Sequence, residues 1–106
     1  MHQHKDLYTV DFRNVQHYLD MHFEIKRALE FPDYYGCNWD AFWDCLTDMY
    51  GDPIHIEILG MEVIEEKFDG VAEKMITILR RFLQDEDFGE GILIEIVRKE
   101  NREVLT

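Results

Sequence analysis

Positions 54–59 contain the stretch Ile54-His55-Ile56-Glu57-Ile58-Leu59, in which isoleucine alternates with polar residues before a final leucine. Alternation of β-branched and polar residues predicts a strand with one buried face. Residues Ile92–Val97 have the same character, and residues 7–12 also have the composition of a strand. Helical sequence separates these three segments, so crossovers must join the strands, which predicts a parallel sheet.

Two helices are predicted between the first and second strands. Apolar residues from Tyr18 to Leu29 follow helical spacing, Asn14 is the candidate N-cap, and Pro32 ends the helix. A second helix is predicted from about Trp39 to Tyr50, with Asn38 as its N-cap. The residues between the two helices are predicted to form a loop.

Two more helices are predicted between the second and third strands. One is short, over residues 61–68, and a longer amphipathic one follows Gly70. The resulting order is β-α-α-β-α-α-β, which indicates an α/β fold in a single domain over residues 1–106. We therefore predict a small three-stranded parallel sheet packed with about four helices.

The charge balance is strongly acidic. The chain has 23 Asp and Glu residues against 11 Lys and Arg residues, a formal net charge of −12. This charge repels nucleic acids and anionic membranes, so we expect neither direct nucleic-acid binding nor membrane binding. It favours a cationic protein partner.

Cysteine content and hydropathy indicate where the protein works. Cys37 and Cys45 are too few for a disulfide scaffold and lack a metal-ligand spacing, so we expect two free thiols in a reducing compartment. No segment approaches the roughly 20 apolar residues that a membrane helix requires. We expect a cytoplasmic protein that is a monomer when free.

The predicted second helix has two distinct faces. Three- and four-residue spacing places one set of apolar residues on a buried face: Trp39, Phe42, Leu46 and Met49. The same spacing places a second set on the neighbouring face, away from the core: Asp40, Trp43, Asp44 and Thr47. An exposed Trp between carboxylates, beside the pair Tyr34-Tyr35, has the composition of a binding hot spot. The alternative is that Trp43 borders the core and the acids only solvate the helix.

Residues 31–47, Phe31-Pro32-Asp33-Tyr34-Tyr35-Gly36-Cys37-Asn38-Trp39-Asp40-Ala41-Phe42-Trp43-Asp44-Cys45-Leu46-Thr47, strongly resemble the central segment of the barstar family of intracellular ribonuclease inhibitors. So long and unusual a string is more specific than a short motif. The resemblance implies a barstar-like fold and a helix that, with its preceding loop, plugs the active site of a basic ribonuclease. It also implies the contact residues, with Asp44 as the main anchor: Tyr34, Asn38, Asp40, Trp43, Asp44 and Thr47.

Two positions depart from the family pattern. Arg81 stands where the family has an acidic contact residue, which opposes the expected sign, and Asp48 replaces a glycine. The chain also continues past the last predicted strand with residues 99–106. These departures allow a partner surface that differs from that of the ribonuclease barnase.

Other functions fit the sequence less well than ribonuclease inhibition. An enzyme is disfavoured because the chain shows no nucleophile with its base, no phosphate-binding glycine loop and no set of metal ligands, so we expect no catalytic residue and no cofactor. Neither the pair His2 and His4 nor the pair His17 and His22 has carboxylates arranged for a metal. The remaining alternatives keep the scaffold: an immunity protein against a different secreted or contact-delivered toxin, or a regulatory protein-binding module.

Overall fold

The strands form one mixed sheet in the computed structural model, which describes residues 7–49, 53–87 and 91–106. Within these ranges the strands are β1 (Leu7–Asp11), β2 (Ile54–Leu59), β3 (Ile92–Val97) and β4 (Arg102–Val104). They lie in the order β1-β2-β3-β4. The β1–β2 and β2–β3 pairs are parallel, as predicted, and β4 adds an antiparallel edge to β3.

The helices are α1 (Tyr18–Leu29), α2 (Trp39–Thr47), α3 (Met61–Lys67) and α4 (Val71–Gln84). The α/β class and the predicted order of helices are therefore confirmed. α2 ends three residues earlier than predicted, because the N–H of Met49 donates to the carbonyl of Leu46 and tightens the chain into a turn. Tyr50, the predicted end, lies outside the described residues.

The predicted N-cap of the first helix is wrong. Asn14 lies in an exposed turn, and α1 begins four residues later, at Tyr18, with His17 in the cap position. The carboxylate of Asp20 accepts hydrogen bonds from the backbone N–H groups of Gln16 and His17, at 3.1 and 2.8 Å. A side chain inside the first turn thus satisfies the N–H groups that Asn14 was expected to serve.

The sheet is buried on one face and partly open on the other. The isoleucines of β2 at 54, 56 and 58 are buried, as are Ile94 and Ile96 of β3. On the open face, Arg102 of β4 contacts Glu57 at 3.1 Å and Glu95 at 3.6 Å. His55 also contacts Glu95 there. These side chains join β2, β3 and β4 into one unit.

Two glycines in the left-handed region, each just before a helix, differ in how closely the rest of the chain packs against them. Gly60 (φ +77°) precedes α3, where an added Cβ would lie 2.7 Å from the backbone nitrogen of Arg13. Gly70 (φ +75°) precedes α4, where an added Cβ would meet no described atom within 4 Å. Only the first glycine is required by both its conformation and its surroundings.

We predict that Gly60→Ala lowers the free energy of unfolding more than Gly70→Ala does. Both substitutions carry the strain of a left-handed alanine, about 1–2 kcal/mol, and only the first adds a backbone clash of about 1–3 kcal/mol. Urea denaturation of the two variants measures the difference. Equal losses of stability would contradict the close approach at Gly60.

Candidate functional site

The junction between the loop and α2 is fixed by Asn38. Its Oδ1 accepts a hydrogen bond from the Ala41 N–H at 2.8 Å, and its Nδ2 donates to the Gly36 carbonyl at 3.2 Å. The Asn38 side chain therefore both caps the helix and ties down the loop before it, as predicted for the cap. A direct contact of Asn38 with a partner stays a prediction.

The buried face of α2 holds the helix in the core. Phe42, Leu46 and Met49 are buried, as predicted. Trp39 differs from the prediction, because it is only half-buried and packs at the edge of the core. Its ring meets Phe42 edge-on at 5.5 Å and lies 5.0 Å from the His22 ring of α1. Aromatic neighbours on one side leave its other side open.

The neighbouring face of α2, which we call the acidic face, consists of Asp40, Trp43, Asp44 and Thr47. Asp40 and Asp44 are exposed, and neither carboxylate forms a hydrogen bond or ion pair with any other described residue. Thr47 is half-buried, and its hydroxyl donates to the Asp44 carbonyl at 3.0 Å. Two carboxylates without partners thus lie one helical turn apart on one surface.

Trp43 is less exposed than the hot-spot interpretation predicted, and it lies at the edge of the core, as in the alternative interpretation. It is half-buried, because Phe82 of α4 packs against its ring edge-on at 6.4 Å. The guanidinium carbon of Arg81, also on α4, lies 4.4 Å from the centre of the same ring. Trp43 is therefore held between the core and a cation, and it still borders the acidic face.

A groove of about 310 Å³ separates α2 from α4. The α2 wall of the groove contains the two carboxylates and both tryptophans: Trp39, Asp40, Trp43 and Asp44. The α4 wall contains Lys74, Ile78 and Arg81. One wall is thus acidic and aromatic, and the other carries two cations.

The two tyrosines of the loop before α2 have opposite positions. Tyr34 is 79% exposed, so its ring is free for contact, whereas Tyr35 is buried. The Tyr35 hydroxyl lies 2.7 Å from Nδ1 of the buried His22, whose Nε2 lies 3.2 Å from the Tyr18 hydroxyl. His22 thus ties the loop to α1. From the sequence, His22 is a candidate only for a metal ligand, although a histidine between Met21 and Ile25 on an apolar face is a signal of a buried polar link.

Neither the cysteines nor the histidines form an additional site in the described part of the chain. Cys37 and Cys45 are both free, as predicted, and burial raises the pKa of the Cys45 thiol. The described ranges contain no group of three or more metal-ligating side chains, and none of their helices could cross a membrane. His2 and His4 lie outside the described residues.

Comparison with known proteins assigns this architecture to a family. The family model described as "Barstar (barnase inhibitor)" matches residues 6–97. This chain belongs to the barstar family. A protein of Bacillus subtilis (strain 168) named "Putative ribonuclease inhibitor YrdF" is 31% identical over 85 residues, which cover 80% of this chain and 90% of that protein. The barstar match includes the whole of α2 and α4 and ends at the last residue of β3, so β4 lies beyond it.

We predict that the pH dependence of stability reports the buried His22. Burial lowers the pKa of His22 below its ordinary value of 6.5, so the folded protein keeps this ring neutral. Below about pH 6.5 the unfolded chain binds a proton that the folded chain resists, so stability falls as pH falls. His22→Gln should therefore show a shallower loss of stability between about pH 7 and about pH 5 than the parent does.

Thermal or urea unfolding across this pH range measures the effect, and His17→Gln is the matched control. His17 is exposed at the N-cap of the same helix, so its removal should leave the slope close to that of the parent. Identical slopes for His22→Gln and the parent would contradict a neutral, buried His22.

Proposed function

We propose that this protein inhibits a basic ribonuclease. Its acidic face, together with Tyr34 in the loop before α2, would block the catalytic pocket of the enzyme. Membership of the barstar family supports the class of partner, and the name of the Bacillus subtilis relative agrees with it. The observation that carries the proposal is Asp44, an exposed carboxylate in mid-helix without a partner among the described residues.

Asp44 is placed where it lowers the stability of the helix. Aspartate has a low helix propensity, and Asp40, one turn away, repels it. Asp40 gains from the helix dipole in the first turn, but Asp44 is too far along the helix to gain much. A cationic partner would remove this repulsion on binding, so the unfavourable arrangement in the free protein favours the complex.

A ribonuclease pocket supplies the complementary chemistry. An enzyme that cleaves RNA binds phosphate with Arg, Lys and His side chains, and these groups form strong charge-assisted hydrogen bonds with carboxylates. A carboxylate on a helix presents the charge of a phosphate without a bond that the enzyme can cleave. Inhibition then follows from occupation of the pocket.

The loop and the helix are held in place before any partner binds. The Asn38 cap and the hydrogen bond between His22 and Tyr35 fix the backbone around Tyr34, while the Tyr34 ring itself stays exposed. A rigid surface loses little conformational entropy on binding, and an exposed tyrosine offers a large contact area with few rotatable bonds. Tyr34 is therefore the proposed aromatic contact beside Asp44.

The net charge acts at longer range. A formal charge of −12 attracts a basic enzyme and speeds its association, an effect that salt screens beyond about 8–10 Å. The two free thiols fit a reducing cytoplasm, where such an inhibitor would meet ribonuclease before export or a nuclease toxin after entry. We propose a cytoplasmic location on this basis.

We predict that Asp44→Ala weakens inhibition by about tenfold to a hundredfold, the loss expected for a hydrogen bond between charged groups. RNA hydrolysis by a panel of basic bacterial ribonucleases, barnase included, measures the inhibition constant of each variant. The parent should inhibit at least one enzyme at a one-to-one ratio. Circular dichroism confirms that the variants are folded.

Asp69→Ala is the matched control, because it removes the same charge from an exposed position between α3 and α4. Asp69 does not line the groove, so its loss should change inhibition only slightly. Equal inhibition by Asp44→Ala and the parent would remove Asp44 from the interface. A parent that inhibits no enzyme of the panel would contradict the proposed function.

A further inference from the structure

Arg81 brings a positive charge into the proposed contact surface. It is exposed on α4, its guanidinium carbon lies 4.4 Å from the centre of the Trp43 ring, and it lines the same groove as Asp40 and Asp44. It forms no ion pair with another described residue, although two carboxylates share the groove. Its charge is therefore available to a partner that covers the groove.

Stacking on the Trp43 ring restricts the positions that the Arg81 guanidinium can adopt. A guanidinium over an indole is attracted by the negative face of the ring, so Arg81 gives up that attraction if it swings out to avoid a partner. Lys74, which lies about two turns before Arg81 on α4, keeps the same side of the groove positive. The proposed surface is thus negative along α2 and positive along α4, despite the strongly acidic chain.

We infer that Arg81 is a specificity-determining residue. The inference rests on the proposed function, because it assumes that the acidic face enters a ribonuclease pocket. RNA is a polyanion, so a basic ribonuclease carries cations around its catalytic pocket as well as inside it. A cation that faces Arg81 is repelled at short range, whereas an acidic group at that point is attracted. The preferred ribonuclease therefore has a cationic pocket for Asp44 flanked by a carboxylate that meets Arg81.

The test uses barnase as the probe and compares the parent with Arg81→Glu and Arg80→Glu. Arg80 is exposed on the same helix, one residue away, and does not line the groove, so both variants change the net charge equally. Barnase serves as an example of a basic ribonuclease that is not the preferred partner of an inhibitor with arginine at position 81. The dissociation constant is measured at low and at moderate salt, after circular dichroism has confirmed the fold of each variant.

Arg81→Glu should bind barnase at least about tenfold more tightly than the parent, because a close repulsion becomes an attraction. This gain should persist at moderate salt. Arg80→Glu should change binding less than about threefold, and salt should erase the change, since only the distant field is altered.

Equal binding by Arg81→Glu and Arg80→Glu would overturn the inference, and so would a failure of Arg81→Glu to bind more tightly than the parent. The Asp44→Ala variant separates this failure from failure of the proposed function. If Arg81 alone is misassigned, loss of Asp44 still weakens inhibition of a ribonuclease that the parent inhibits. If the acidic face is not the docking surface, neither Asp44 nor Arg81 affects binding to any ribonuclease.

Discussion

Burial of Phe42 and Leu46 against the core fixes the orientation of α2, and the positions of all the proposed contact residues follow from it. Helical periodicity then turns Asp40 and Asp44 toward solvent. Each buried phenylalanine or leucine side chain contributes about 1.5–3 kcal/mol, more than the repulsion of about 0.2–0.5 kcal/mol between two acids one turn apart. The fold can therefore hold on one surface two carboxylates that have no partner in the described part of the chain, at a small loss of stability.

The surroundings of α2 turn this orientation into a rigid surface. The Asn38 side chain joins the helix to the loop, and the contact between His22 and Tyr35 joins the same loop to α1. On the other side of α2, Phe82 and Arg81 hold Trp43 against α4. The links from the loop to α1 and from α2 to α4 reach beyond residues 31–47, so the shape of the proposed contact surface depends on more of the fold than this segment alone.

Local sequence pattern predicted the elements that depend on local periodicity. The bounds of β2 and β3 were predicted correctly, because strict alternation distinguishes the two faces of a strand. β4 was missed because it has three residues and no apolar pattern, and Arg102 stabilises it by reaching Glu57 on β2. The same limit explains the error at Asn14, where the capping carboxylate of Asp20 comes from inside the helix.

In the candidate site, too, the sequence predicted what depends on local pattern and missed what depends on packing between elements. Helical spacing predicted that Asp40 and Asp44 share an exposed face, and the structure agrees. Spacing within α2 could not predict the partial burial of Trp43 or the position of Arg81 over its ring, because both arise from packing between α2 and α4. The departure at Arg81 was visible in the sequence, but only the contact with Trp43 gives it a place beside the acidic face.

The central claim is that the acidic face occupies the catalytic pocket of a ribonuclease. The most direct test takes a ribonuclease that this protein inhibits and titrates the protein into it. The titration is run with and without a saturating mononucleotide in the catalytic pocket. The account predicts mutual exclusion, so the apparent dissociation constant of the inhibitor should keep rising linearly with nucleotide concentration, even after the nucleotide has saturated the pocket. A ternary complex, in which the nucleotide stays bound with unchanged affinity while the inhibitor binds, would contradict it.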